Sequence, residues 1–242
     1  MMDRSAYVSS LRRDGAGLLA AADLGLDAEV PSCPGWRVER LVGHIGRVYR
    51  TMAGWVLSGS APTDVPRPPA GPSVLSWTAE ALESLVAALS SDSRPDPVPT
   101  WAGDQPALFW PRRMAVETAI HRWDAESAHG APQPIDAELA VDAVDELFDV
   151  LLPVRASEDA LTGDGETLHL HATDVDGEWL VTLTPGRPAV SREHAKGDVA
   201  VRGPASDLLL LLWNRGDVAG RERLQIFGDA ALLDRWSESI RL

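Results

Sequence analysis

The hydrophobic period of this chain changes once, near Pro153, and that change limits the fold more than any other feature. Before it, apolar residues recur three and four apart, the spacing of one helical face. Tyr7, Leu11, Leu18 and Leu19 mark a helix over 5–23. The segment Val30-Pro-Ser-Cys-Pro-Gly35 ends that pattern, and Val38, Leu41, Val42, Ile45 and Val48 mark a second helix from about Arg37. A third runs from Val74 to Leu89. A fourth begins at Pro106 or Pro111 and runs to His129, with Gly130 as its stop. A fifth, Asp136 to Leu152, ends before Pro153. Loops rich in Pro, Gly and Ser over 58–72, and in Pro over 94–99, separate them. After Pro153 the period becomes two. Thr167–Ala172 and Glu178–Leu183 alternate, and 173–177 is the turn of a hairpin. Gly197–Arg202 reads as another strand, followed by helices over Pro204–Trp213 and Ala230–Ile240. The expected fold is an α-helical bundle with a four-helix core over 1–153, then a small α+β domain over 154–242.

Hydrophobic residues make up 45% of the 242, enough for a packed core. The net charge of −14 argues against nucleic acid and against an anionic membrane surface, since both need clustered Lys and Arg. No apolar run reaches the 18 or so residues of a span; the longest, Leu208 to Trp213, suits a buried helix. The first residues lack the apolar core of a signal peptide. A single cysteine, Cys33, excludes an intrachain disulfide. The expectation is a cytoplasmic protein, monomer or homodimer, whose partner is a small-molecule substrate.

Glu117 and His121 stand four apart in a run without helix breakers, so they share a helical face. His44 lies on the second helix, on a stripe with Leu41, Val48 and Trp55. Two helices side by side can bring these three together, and two His with one Glu is a catalytic metal set with an open fourth position. The competing reading is three surface or capping residues that share this spacing by chance. Asp124, three after His121, suits either an acceptor that fixes a ligand histidine's tautomer or a surface ion pair with Arg112, Arg113 or Arg122. Cys33, in a tight Pro-Gly turn, reads as packed and inert. His169 and His171, two apart on a strand, face the same side; they could bind metal, but the preferred reading is outward polar residues on one face of a hairpin, and His129 and His194 show no partner. Arg215 ends the very apolar helix Leu208–Trp213, where a cation complements the helix dipole; its other reading is an anchor for a substrate carboxylate. There is no Gly-rich phosphate loop, no Gly-x-Ser-x-Gly elbow and no Cys-x-x-Cys pair.

Val30-Pro-Ser-Cys-Pro-Gly-Trp-Arg-Val-Glu-Arg-Leu-Val-Gly-His44, followed by Glu117-Thr-Ala-Ile-His-Arg-Trp-Asp-Ala-Glu126, resembles the mycothiol-dependent maleylpyruvate isomerase family. The resemblance extends over essentially the whole chain, including the helix ending in Trp213-Asn-Arg215. It implies a DinB-like helix bundle joined to a small C-terminal α+β domain. His44, Glu117 and His121 match the family's metal ligands, and Arg215 matches a tail-domain arginine of its active site. Asn214 stands where the pattern suggests glycine, and Arg37 where a Ser or Thr helix cap is frequent. The implied cofactors are a divalent metal, usually zinc, and the thiol mycothiol. The implied reaction is cis–trans isomerisation or thiol S-transfer on a small electrophilic, anionic substrate. A metal-dependent hydrolase, an Fe(II) oxygenase and a non-catalytic binding protein are the alternatives.

Overall fold

The computed structural model describes residues 1–91, 96–155, 161–215 and 221–239. Residues 94 and 95 of the proline-rich loop, and Ile240 at the end of the last helix, lie outside the described residues. The chain divides into two compact units, Met1–Gln133 and Pro134–Leu242.

The first unit is a bundle of α1 (Arg4–Asp23), α2 (Val38–Ser58), α3 (Ser73–Leu89) and α4 (Phe109–Ser127), with a small hairpin of β1 (Val98–Thr100) and β2 (Gly103–Gln105) before α4. Asp3 caps α1, its carboxylate accepting the Ala6 N–H at 2.8 Å. Arg37 holds the N-cap position of α2 and makes no side-chain cap bond, as expected where Ser or Thr is replaced. Leu11, Leu18, Leu41, Ile45, Leu85 and Ile120 fill the core. Helix α2 meets α3 at Gly46, where an added Cβ would lie 2.4 Å from the Trp77 ring and 2.5 Å from Thr78 Oγ1.

Helix α4 is buried on nearly every side although it carries Arg113, His121, Arg122 and Asp124. Buried charges are tolerated only when paired. Arg122 meets Asp14 of α1 at 3.1 Å and Glu126 at 2.6 Å. Tyr49 of α2 and Thr118 of α4 share a buried hydrogen bond of 2.9 Å. Pro111 sits in the first turn of α4, where its missing N–H leaves no helical bond unmade.

The second unit begins with α5 (Ala137–Glu146), capped by Asp136, which continues through a π-helical turn, Leu147–Leu151, into α6 (Leu152–Arg155). Pro153 thus lies inside a helical segment rather than after it. The widened turn just before it takes up the clash a proline ring makes with the preceding turn. This helical stretch, read from sequence as the last of the bundle, belongs to the second unit. Its buried face, with Leu139, Ala143 and Val144, packs against α7 (Ala205–Leu212). The Ile135 N–H also donates to Ser206 Oγ at 2.9 Å.

The sheet of this unit has the order β5-β4-β3-β6-β7, from β3 (Thr167–Ala172), β4 (Glu178–Thr182), β5 (Ala189–Ser191), β6 (Val199–Gly203) and β7 (Gln225–Gly228). β3 and β4 form the expected hairpin, with Leu168 opposite Val181 and Leu170 opposite Trp179 facing the core. β3 and β6 are parallel; the other pairs are antiparallel. Helix α8 (Ala231–Ser239) closes the unit. Asn214, just past α7, has φ 57°, the left-handed conformation that explains a glycine at this position and that asparagine tolerates. Among the described residues no helix is long and apolar enough to cross a membrane.

Candidate metal centre

Three of the residues singled out in the sequence meet inside the first unit. Helix α4 presents Glu117 and His121 on one face, and α2 presents His44 toward them. One donor atom from each lies within 4.8 Å of the others. Glu117 Oε1 is 3.4 Å from His121 Nε2 and 3.7 Å from His44 Nε2. The two imidazole rings stand edge to face at 5.4 Å between centroids. Ligand atoms about 2.0–2.2 Å from a zinc ion sit roughly 3.3–3.6 Å apart at tetrahedral angles, so these separations fit a cation without rearrangement of the helices.

The remaining polar atoms of His121 and Glu117 are held by neighbours. Asp124 is fully buried, and its Oδ2 is 2.9 Å from His121 Nδ1, which turns Nε2 toward Glu117. Asp124 does not lie at the surface. Ser32 donates its hydroxyl to Asp124 Oδ1. The Val30–Gly35 turn therefore braces the carboxylate that orients His121. Arg113, one turn before Glu117, binds Glu117 Oε2 and leaves Oε1 to face both imidazoles.

Burial would raise Glu117, but the Arg113 guanidinium and hydrogen bonds from His121 and His44 outweigh it and hold the carboxyl well below its ordinary range. Burial would lower His121, but Asp124 and Glu117 reverse that and push it up to about 9. The site is therefore an anionic recess that favours positive charge between its imidazoles and carboxylates. A divalent cation, bound through nitrogen and oxygen, satisfies that preference, and the donor set is one zinc accepts.

Cys33 Sγ lies 3.8 Å from Asp124 Oδ2. Beside the trio, His44 opens onto a groove of about 620 Å³ lined by Trp36, Arg40, Arg47 and Arg67. The Arg40 guanidinium lies 4.4 Å from the Trp36 ring centre, and that ring meets His44 edge to face at 5.3 Å. Glu39 also lines the groove, with one oxygen accepting the Gly71 N–H at 2.6 Å. Sequence reasoning passed over these arginines and Ser32. The signal for Arg40 and Arg47 is their place four before and three after His44, on its own helical face.

Arg215 lies in the second unit, buried, with Nη1 donating to the Trp213 carbonyl at 2.8 Å and its guanidinium 5.9 Å from the Trp213 ring. These are contacts of a cation closing a helix end. His129 joins neither group of clustered donors. His169, His171 and His194, read from sequence as outward or unpartnered, come together in the second unit with Glu178.

Comparison with known proteins gives a consistent result along the chain. Residues 8–126 match the family model described as the mycothiol maleylpyruvate isomerase N-terminal domain, and residues 138–235 match the MDMPI C-terminal domain. The crystal structure of a mycothiol-dependent maleylpyruvate isomerase is similar in fold, with a TM-score of 0.64, 16% identity, and coverage of 100% of this chain and 98% of that one. A histidine-to-alanine mutant of a mycothiol-dependent maleylpyruvate isomerase gives 0.65 at 15% identity, with the same coverage. No curated protein matches the sequence.

Proposed function

Because the chain belongs to the mycothiol-dependent maleylpyruvate isomerase family, we propose that it is a metal-dependent, mycothiol-using enzyme acting on a small, electrophilic, anionic substrate. The reaction is cis–trans isomerisation of the maleylpyruvate type or thiol S-transfer. The observation that carries the reading is the convergence of His44 Nε2, Glu117 Oε1 and His121 Nε2 while Asp124 holds His121 Nδ1 and Arg113 holds Glu117 Oε2. These three residues would hold a divalent ion, zinc by their chemistry, which when bound would supply the positive charge that favours a thiolate over a thiol.

The chain's own residues then have distinct tasks. Asp124 fixes the tautomer of His121 and makes its Nε2 a better donor. Arg113 keeps Glu117 ionised. Arg40, Arg47 and Arg67 attract the anionic groups of thiol or substrate toward His44, against the overall negative charge of the chain. Arg215 is proposed as a further anion-binding side chain, its planar guanidinium suited to a carboxylate. Isomerisation and S-transfer both begin when the thiol sulfur adds to one carbon of the substrate's activated double bond, the π pair moving onto the conjugated carbonyl; isomerisation continues by rotation about the resulting single bond and elimination of the thiol, whereas in S-transfer a proton takes up the pair and the sulfur stays. A cytoplasmic setting is part of the same proposal.

The test is turnover of a maleylpyruvate-type substrate and of a simple electrophile by zinc-loaded protein, with and without mycothiol. Trans product or S-conjugate formed only with thiol is the expected result. Equal turnover without thiol would instead favour hydrolysis by a metal-bound water.

A further inference from the structure

The second unit carries its own cluster of metal-ligating side chains. His169 and His171 are two apart on β3 and project from one face of the sheet. The β3–β4 register sets Glu178 directly opposite His171. The segment between β5 and β6 returns across this face and brings His194 with it. His194 Nδ1 lies 2.8 Å from Glu178 Oε1, and His171 Nδ1 contacts the same oxygen. The ring centres are 5.4 Å apart for His169 and His194, 6.1 Å for His171 and His194, and 6.2 Å for His169 and His171. One donor atom from each of the four residues lies within 4.8 Å of the others.

Two further observations separate this cluster from a chance gathering of polar side chains. His169 is only 6% exposed, and its Nε2 is buried with no hydrogen-bond partner. A buried polar atom without a partner is rare in folded proteins and calls for an unseen one. The returning segment is also pinned at both ends. Arg192 reaches Asp145 and Asp149 at 2.9 Å each, and Asp198 accepts the Thr167 N–H and hydroxyl at 2.8 Å. Gly197 permits the close pass, since a Cβ there would lie 2.6 Å from the Val199 carbonyl and 2.9 Å from His169 N. His194 is thus delivered to a fixed place although its side chain is largely exposed.

We propose that His169, His171, Glu178 and His194 form a second divalent-metal site, with three imidazoles and one carboxylate as ligands. Four protein donors complete the tetrahedral shell of zinc, the pattern of a structural rather than a catalytic site. Its role is to clip the 192–198 segment to the sheet.

The experiment counts metal on the full chain. Chelator-stripped protein is titrated with zinc, and with cobalt as a spectroscopic reporter. Wild type should bind two equivalents. His44→Ala should keep one, with the intense visible absorption of four-coordinate cobalt. His194→Ala, a change at an exposed position, should lose that absorption and weaken one equivalent more than about tenfold. His169→Ala should do the same, with circular dichroism to check its fold. If His194→Ala and folded His169→Ala bind both metals as wild type does, the second site is wrong. A failure of the first centre reads differently: wild type then binds one equivalent, His44→Ala keeps it, and His194→Ala weakens it.

Discussion

Asp124 stands behind His121 and tests how far the proposed site depends on a residue outside the trio. Its carboxylate is fully buried, accepts from Ser32, and faces His121 Nδ1. Without it, His121 is free to rotate and to change tautomer. Asp124→Ala should therefore weaken metal binding by roughly 10–100-fold with the three ligands intact. Competition against a chelator of known affinity measures this, and an unchanged affinity would make Asp124 a packing residue only. Arg215 poses the opposite question. Its described contacts are those of a helix end, while its proposed task is to bind an anion. If it binds substrate, Arg215→Ala should leave zinc affinity unchanged and lower kcat/KM for an anionic substrate by about 2–5 kcal/mol. A neutral analogue should feel far less. Equal losses on both substrates, or a melting temperature low enough to explain them, would return Arg215 to the helix end.

At the scale of elements, helices were more legible than strands. Helices α1, α2 and α3 lie where the apolar spacing that includes Leu11, Leu41 and Leu89 places them, because each buries one face. Helix α4 was placed by its breakers rather than by its stripe, since it buries charged residues among apolar ones. β5 and β7, three and four residues long, were not read, because so short a run shows no period of two. The trio of His44, Glu117 and His121 is visible as spacing, because its members sit on helices. The braces of the trio are not: Ser32 and Arg113 gain their meaning only when the chain folds. The same holds for His194, which lies outside any element and meets Glu178 through the path of the chain.

Helix α8 is tied down by a contact whose pH dependence can be measured. Arg235 donates to Glu166 Oε1 at 2.9 Å and to the Thr162 carbonyl at 2.6 Å. The Arg235 hydrogen bond, with backbone hydrogen bonds at Glu166 and Asp164, lowers the Glu166 carboxyl to about 2 from its ordinary 4.5. A lowered carboxyl stabilises the fold above its unfolded pKa, and the contribution is lost as pH falls from about 4.5 through about 2. Carboxyl NMR should place the Glu166 midpoint near 2 in wild type and closer to 4.5 in Arg235→Ala. A wild-type midpoint near 4.5 would mean that this exposed pair is not formed in solution.

For the whole molecule, the two units divide at Gln133/Pro134, not at the change of period near Pro153. Periodicity assigns α5 to the bundle because it is a helix. Packing assigns it to the second unit because its apolar face covers α7 and because Asp145 accepts from Trp179 Nε1 at 2.7 Å. A fragment of residues 134–242 should therefore fold with a cooperative melt and dispersed NMR signals, while one of 154–242 should not. A well-folded 154–242 fragment would place the boundary back at Pro153. The central claim concerns the other unit, where His44, Glu117 and His121 are proposed to hold a metal ion that takes a thiol. A crystal grown with zinc and mycothiol, with data collected at the zinc edge, tests it most directly. An anomalous peak about 2.0–2.2 Å from His44 Nε2, Glu117 Oε1 and His121 Nε2, with the thiol sulfur as a further ligand at about 2.3 Å, is the predicted result. No peak between those three atoms, or a peak there with the thiol bound elsewhere, would contradict the account.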